Sequence, residues 1–201
     1  MTDGSQEPKQ RVVAVYGSAG IQPGSADWHS AYALGRALAE AGYVLLSGGY
    51  SGVMEAASQG AAEAGGRVVG VEVGLFRDRG LRVNRWVQDV VTFETLRDRL
   101  YFMVEEPDAF VAVRGGVGTL SEIALVWSLL QVGEISARPF VLVGPMWRRL
   151  VATFASDAAM GPRELDRLTL VDAPEDVVPA LEAWWAAPPD VPLRRGDGDR
   201  A

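Results

Sequence analysis

Cysteine is absent, and lysine and histidine each occur once, as Lys9 and His29. Each shortage removes a class of chemistry. Without cysteine there is no disulfide framework and no sign of secretion. A pyridoxal-phosphate enzyme needs a lysine to form its Schiff base, and a P-loop NTPase needs one on its phosphates. Lys9 lies in the polar N-terminal stretch and suits neither. One histidine and no cysteine leave no histidine–cysteine zinc site, and no cofactor is expected. No apolar run approaches the ~20 residues that cross a bilayer, and the first ten residues lack the apolar core of a signal peptide. The expectation is a cytoplasmic protein with no membrane partner. The net charge of −7 argues against DNA or RNA, which need a basic surface. A small phosphate ligand needs only a local site and is compatible with it.

What is present is organised around Val111-Ala112-Val113-Arg114-Gly115-Gly116-Val117-Gly118-Thr119-Leu120-Ser121-Glu122. The apolar run from Ala109 to Val113 reads as a buried strand. After the glycines, Leu120, Ile123, Ala124 and Trp127 recur at helical spacing. Strand, glycine turn and helix make an anion site in α/β proteins: glycine lets backbone approach the ligand, and the helix's unpaired N–H groups point at it. The same alternation runs through the chain. Strands are expected at Arg11–Tyr16, Val44–Leu46, Arg67–Val73, Val87–Val91, Ala109–Val113, Pro139–Val143 and Leu168–Val171. Helices are expected near Asp27–Ala41, Val53–Ala64, Thr92–Glu105, from Leu120, and near Trp147–Phe154 and Pro174–Ala187. Gly74–Arg85 reads as a loop. Near-continuous apolar strands alternating with helices predict an α/β, Rossmann-like, doubly wound parallel sheet of about six to seven strands, helices covering both faces. A single domain is expected over residues 11–187, flanked by disordered tails at 1–10 and 188–201.

Ligands of such sheets bind at the carboxyl ends of the strands. The turns Gly17–Gly20, Gly48–Gly52 and Gly115–Gly118 all leave strands there, so they would share one rim and serve a nucleotide or sugar phosphate. A plainer account is that each glycine only tightens a turn. Thr119 offers its hydroxyl to a phosphate or caps the helix. Thr119-Leu120-Ser121-Glu122 also has capping-box spacing, in which Glu122 closes back on the helix start; spacing by itself leans towards that role. Arg99 reads equally as a solvated arginine beside Arg97 and Asp98. Arg77, Arg79, Arg82 and Arg85 read as solvent-facing, and His29 as a helix-entry residue.

Arg99, Met103, Asp108-Ala109-Phe110, Gly115-Gly116-Val117-Gly118-Thr119 and Glu122 together resemble the signature of the Lonely Guy (LOG) family, long mislabelled lysine decarboxylases. Ser47-Gly48-Gly49-Tyr50-Ser51-Gly52-Val53-Met54 resembles the family's second glycine motif. Tyr16-Gly17-Ser18 with Leu34-Gly35 resembles its opening. The resemblance covers about Val12 to Gly144. It implies hydrolysis of the N-glycosidic bond of AMP or of cytokinin riboside 5′-monophosphates, releasing base and ribose 5-phosphate. It also implies that Gly115, Gly116, Gly118 and Thr119 hold the 5′-phosphate and that Arg99 and Glu122 form the catalytic pair. Gly17, Ser18, Gly48, Gly49, Gly52, Met54 and Arg114 complete the expected substrate site. A homodimer is implied as well; the apolar face around Trp127 and Leu130 fits either that interface or the core. Three positions depart from the family pattern: Leu100 replaces a lysine, Arg114 a proline and Glu55 a glycine. Related proteins carry molybdenum cofactor without cleaving anything, so a non-catalytic nucleotide or molybdenum-cofactor carrier is the alternative.

Overall fold

Val12–Tyr16 (β1) and Ala109–Ala112 (β5) are apolar at every position, which suits strands covered on both sides. In the computed structural model, which describes residues 10–157 and 162–190, they are hydrogen-bonded neighbours at the centre of the sheet, with Val13 opposite Ala109 and Tyr16 opposite Ala112. The remaining elements follow in chain order. Ala26–Glu40 is α1, Val44–Ser47 β2, Val53–Glu63 α2, Val68–Val73 β3, Gly74–Asp78 α3, Asp89–Phe93 β4 and Leu96–Glu105 α4. Beyond β5 come α5 (Val117–Val132), β6 (Phe140–Val143), α6 (Pro145–Asp157), α7 (Pro162–Leu165), β7 (Thr169–Val171) and α8 (Val177–Ala186). The seven strands are ordered β4-β3-β2-β1-β5-β6-β7, and every pairing is parallel.

Alternation along the strands divides the core in two. Val13 and Val15 pack with Leu34 and Leu38 of α1, Ala57 of α2 and Leu181 of α8. Ala14 and Tyr16 face the other way, onto Met103 of α4, Ile123 of α5 and Trp147 of α6. The chain therefore leaves β1 towards one face and β5 towards the other, and a crevice opens between their carboxyl ends. On the first face α1 and α2 touch through glycine. A Cβ on Gly35 would stand 2.0 Å from the Ala57 carbonyl oxygen, and one on Gly60 2.0 Å from that of Tyr32.

The predicted fold class is the observed one; several boundaries differ. The fourth strand begins two residues later than expected. Its ladder runs from Asp89 opposite Val69 to Phe93 opposite Val73, so Thr92 lies in the sheet and α4 starts at Leu96, capped by the Thr95 hydroxyl, which accepts from Asp98 N–H. As an edge strand β4 alternates between half-buried and exposed residues instead of being apolar throughout. The expected loop at 74–85 opens with the short α3. Leu130 belongs to the chain's own interior, whereas Trp127 is half-buried, its indole donating to the Glu164 carbonyl at 2.7 Å. No helix among the described residues is long and apolar enough to cross a membrane. The tails expected at 1–10 and 188–201 lie, apart from Gln10 and 188–190, outside the described residues.

Candidate active site

The turns after β1, β2 and β5 meet around a cavity of about 420 Å³ at the carboxyl rim of the sheet. Gly17 and Ser18 come from the first turn, Gly48 and Tyr50 from the second with Met54 behind them, and Gly116, Gly118 and Thr119 from the third. Arg99 of α4 and Glu122 of α5 form part of the same wall, and Phe76 and Leu81 overhang it from α3 and the segment after it.

The helix end facing this space is bare. Gly116 is the N-cap of α5 and makes no side-chain cap. The first helical hydrogen bond runs from Leu120 N–H to the Gly116 carbonyl at 2.9 Å, which leaves the N–H groups of Val117, Gly118 and Thr119 without partners inside the helix. Since the helix starts at Val117, Thr119 is its third residue and Glu122 its sixth. The capping-box reading is therefore corrected, because the glutamate lies a full turn too far along to close back on the helix start. A Cβ at either Gly116 or Gly118 would meet nothing within 4 Å, so both glycines border open space.

Arg99 is 6% exposed, which overturns the reading as a solvated surface arginine. Neighbouring Arg97 takes that place, exposed beside Asp98. The Arg99 Nε–H donates to the Val71 carbonyl at 2.8 Å. Its Nη2 lies so close to Gly48 that a Cβ there would stand 2.2 Å from it, and the guanidinium is 5.9 Å from the Tyr50 ring centre. Anchored through Nε, the group keeps both Nη atoms for the cavity. Burial lowers its pKa from the usual arginine value, while the negative charge of Glu122 acts in the opposite sense.

The Glu122 carboxyl group accepts no hydrogen bond among the described residues. Burial raises its pKa to about 7, only partly offset by Arg99. Partial burial of an unpaired carboxylate destabilises the charged form, as expected where a carboxyl is tuned for work near neutrality. Tyr16 lies beside this group. Its hydroxyl donates to the Met103 carbonyl at 2.7 Å, and its pKa is raised, first by burial and then by the Glu122 charge.

Of the residues proposed from the sequence, Gly17, Ser18, Gly48, Met54, Arg99, Gly116, Gly118, Thr119 and Glu122 border one cavity. Gly49, Gly52 and Gly115 stand behind its wall. Gly52 has φ +68°, and a Cβ on it would meet the Ser18 carbonyl oxygen at 2.4 Å; one on Gly115 would meet the Thr119 hydroxyl at 2.3 Å. Arg114 points elsewhere, pairing with Asp27 at 2.8 Å on the border of a second cavity. Sequence reasoning named Tyr16 and Tyr50 only as members of motifs, not of the site, and passed over Phe76 and Leu81. For the last two a signal existed, apolar side chains in an arginine-rich stretch; for the tyrosines none separated cavity wall from core.

The architecture defines the class: a doubly wound, Rossmann-like α/β protein with a ligand-sized cavity beside its β1/β5 switch point. Residues 10–135 match the model of the SLOG cluster4 family, and the chain belongs to this LOG-type family. It is 31% identical over 188 residues to a protein of Mycobacterium marinum named cytokinin riboside 5′-monophosphate phosphoribohydrolase, covering 90% of this chain and 98% of that one. An uncharacterized protein of Archaeoglobus fulgidus is 40% identical over 95 residues, which span 47% of this chain and 60% of the relative. Among solved structures, the molybdenum cofactor binding protein of Rippkaea orientalis superposes with a TM-score of 0.69 at 25% identity, covering 88% of this chain and 98% of that one.

Proposed function

We propose that the protein is a nucleoside 5′-monophosphate N-glycosidase, acting on AMP or an N6-modified AMP and releasing free base and ribose 5-phosphate. The observation that carries this reading is the placement of Glu122, unpaired and with its pKa near 7, in one cavity with Arg99 and the bare N-terminus of α5. The name of the Mycobacterium marinum relative supports it.

In this reading the 5′-phosphate docks on the N–H groups of Val117, Gly118 and Thr119, where the helix dipole favours an anion. The base lies towards Met54, Phe76 and Leu81. The ribose then falls between Glu122 and Arg99. As the bond from C1′ to the base nitrogen breaks, its electron pair leaves with the base and positive charge grows on the ribose. The Glu122 carboxylate stabilises that charge and accepts a proton from the attacking water, whose oxygen bonds to C1′; the proton is passed on to the departing base. Arg99 holds the ribose hydroxyls or the carboxylate through its free Nη atoms. Incubation with AMP and N6-substituted AMP, with assay of free base, tests the reading. No base above the level of a Glu122→Ala control would end it.

A second reading, a carrier of an intact nucleotide or pterin phosphate, is favoured by the likeness to the Rippkaea orientalis protein and by Leu100 in place of the family's lysine. Prolonged incubation decides between the two, because a carrier returns its ligand uncleaved.

A second copy of the chain is the proposed partner. α5 is apolar nearly all round, which normally marks a helix covered on every side. Yet Val117 is 84% and Val132 56% exposed, with Leu120 between them and Tyr101 of α4 also exposed. Light scattering at twice the chain mass is the expected result.

A further inference from the structure

A second cavity, of about 550 Å³, opens on the same carboxyl rim beyond the β5 tip. A wall separates it from the first. Gly17, on the border of the first cavity, is packed so tightly on Val53, on the border of the second, that a Cβ would meet Val53 at 2.5 Å. Ser18 N–H closes the wall further by donating to the Arg114 carbonyl at 3.1 Å. The interior is apolar, with Val53, Val113, Val143 and Met146 on its sides. Its lining carries Arg114 and Arg149 beside Ser30, Asp27 and Asp172, the last paired with Arg148 at 2.6 Å. Arg149 is exposed and makes no ion pair among the described residues, whereas Arg114 is held by Asp27 at 2.8 Å. α6 begins here at Pro145, after Gly144 with φ +93°. The N–H groups of Met146 and Trp147 precede its first helical bond, Arg148 to Gly144 at 3.4 Å.

We infer that this cavity is a second small-molecule site, for a ligand with a flat, largely apolar ring system and a single phosphate. Apolar sides with a few polar groups at one end are the usual form of such sites, and the volume is that of a nucleotide-sized ligand. The ring system enters between Val53, Val113, Val143 and Met146. The phosphate stays at the mouth, where Arg149 supplies the uncommitted cation and the first turn of α6 supplies N–H donors. Arg114 swings from Asp27 to the phosphate or stays in its ion pair. The site needs nothing from Glu122 or Arg99, so it stands or falls separately from the glycosidase reading.

The test uses AMP and inorganic phosphate on the full-length chain, with binding measured by equilibrium dialysis. Gly118→Trp serves as the background: the new side chain projects into open space and fills the first cavity, which also prevents turnover. That protein is expected to bind one AMP per chain, with phosphate competing. Adding Arg149→Glu should weaken the remaining site by about tenfold or more, the scale of one charged hydrogen bond, and Arg149→Lys by less. Ser30→Trp, from an exposed position on α1, should abolish it by filling the mouth. Circular dichroism checks that each variant is folded. Absence of AMP binding by the Gly118→Trp protein would overturn the inference. So would residual binding indifferent to both Arg149→Glu and Ser30→Trp.

Discussion

The turn after β2 and the turn after β5 look alike as strings, Gly48-Gly49-x-x-Gly52 against Gly115-Gly116-x-Gly118, yet their glycines answer different demands. In the first turn the space is already taken. A side chain on Gly48 would strike Arg99 at 2.2 Å and the Met54 sulfur at 2.7 Å, Gly49 and Gly52 have φ of +76° and +68°, and Gly52 abuts Ser18 backbone at 2.4 Å. In the second, Gly116 and Gly118 face open space and only Gly115 is packed, against Thr119. The closed turn seats a guanidinium; the open turn leaves room for a ligand. The two candidate catalytic groups inherit this difference. Arg99 is anchored, while Glu122, carried on the helix that leaves the open turn, has no hydrogen-bond partner among the described residues.

The comparison can be pressed hardest at Glu122. Replacing it with Gln keeps the shape and removes the ability to carry charge and take a proton. Catalysis of base release from AMP should fall by about a thousandfold, within the usual range for losing a general acid or base. Binding of AMP, which the proposal rests on the open turn, should change little. A variant with equal loss of affinity would place the glutamate in binding, and the contrast between an open binding turn and a separate reacting group would fail.

Next in size is Gly52→Ala. It combines a backbone conformation disfavoured for alanine with a backbone oxygen 2.4 Å from the new carbon, and should cost about 3 kcal/mol of stability. Gly48→Ala should cost less, because what it meets are the ends of two side chains. Its main effect should be to push Arg99 aside and lower kcat. Urea unfolding of both proteins, read beside their activity, separates a turn that maintains the fold from one that maintains a side chain.

The pH dependence of stability sharpens the picture of Glu122. Its pKa rises from 4.5 in the unfolded chain to about 7 in the folded one, so between these values the native state binds more protons and stability falls as pH rises. The full shift corresponds to roughly 3 kcal/mol at 1.36 kcal/mol per unit; the residue is half-buried, and about 2 kcal/mol is expected. Glu122→Gln lacks this titration. It should therefore gain about that much on wild type between pH 5 and pH 8, with most of the gain complete by pH 7. Parallel urea curves for the two proteins across that range would show the group ionising freely.

How much of this could be read in the letters follows from the kind of force involved. Doubly wound architecture rests on apolar runs and helical spacing, local patterns that survive in a string, so the layering and the approximate strand positions were legible. So was the gathering of Gly17, Gly48 and Gly116 on one rim, which follows from topology. The start of α5 was not, because Thr119 and Glu122 satisfy a capping rule that the backbone, turning at Gly116, does not use. Burial of Arg99 was hidden for a related reason. Its partners, the Val71 carbonyl and the space over Gly48, come from strands distant in sequence, and nothing near Arg99 announces them. Spacing also could not show that Arg114 faces away from the cavity over α5, since side chains at the end of a strand diverge to opposite sides of the sheet.

The smallest expected effect is the most informative about the open turn. Gly116→Ala places a methyl group where nothing lies within 4 Å, at a residue whose φ of −108° any amino acid adopts. Neither overpacking nor backbone strain applies, so stability should stay within about 0.5 kcal/mol of wild type, as for a neutral surface change. The methyl group does, however, stand beside the N–H groups proposed to receive the phosphate. Affinity for AMP and for inorganic phosphate should therefore fall several-fold while the melting curve is unmoved. Loss of stability comparable with Gly52→Ala would mean that both turns are filled from within, and that the cavity over α5 is too shallow for a phosphate. Unchanged affinity alongside unchanged stability would place the first cavity's anion away from the N-terminus of α5.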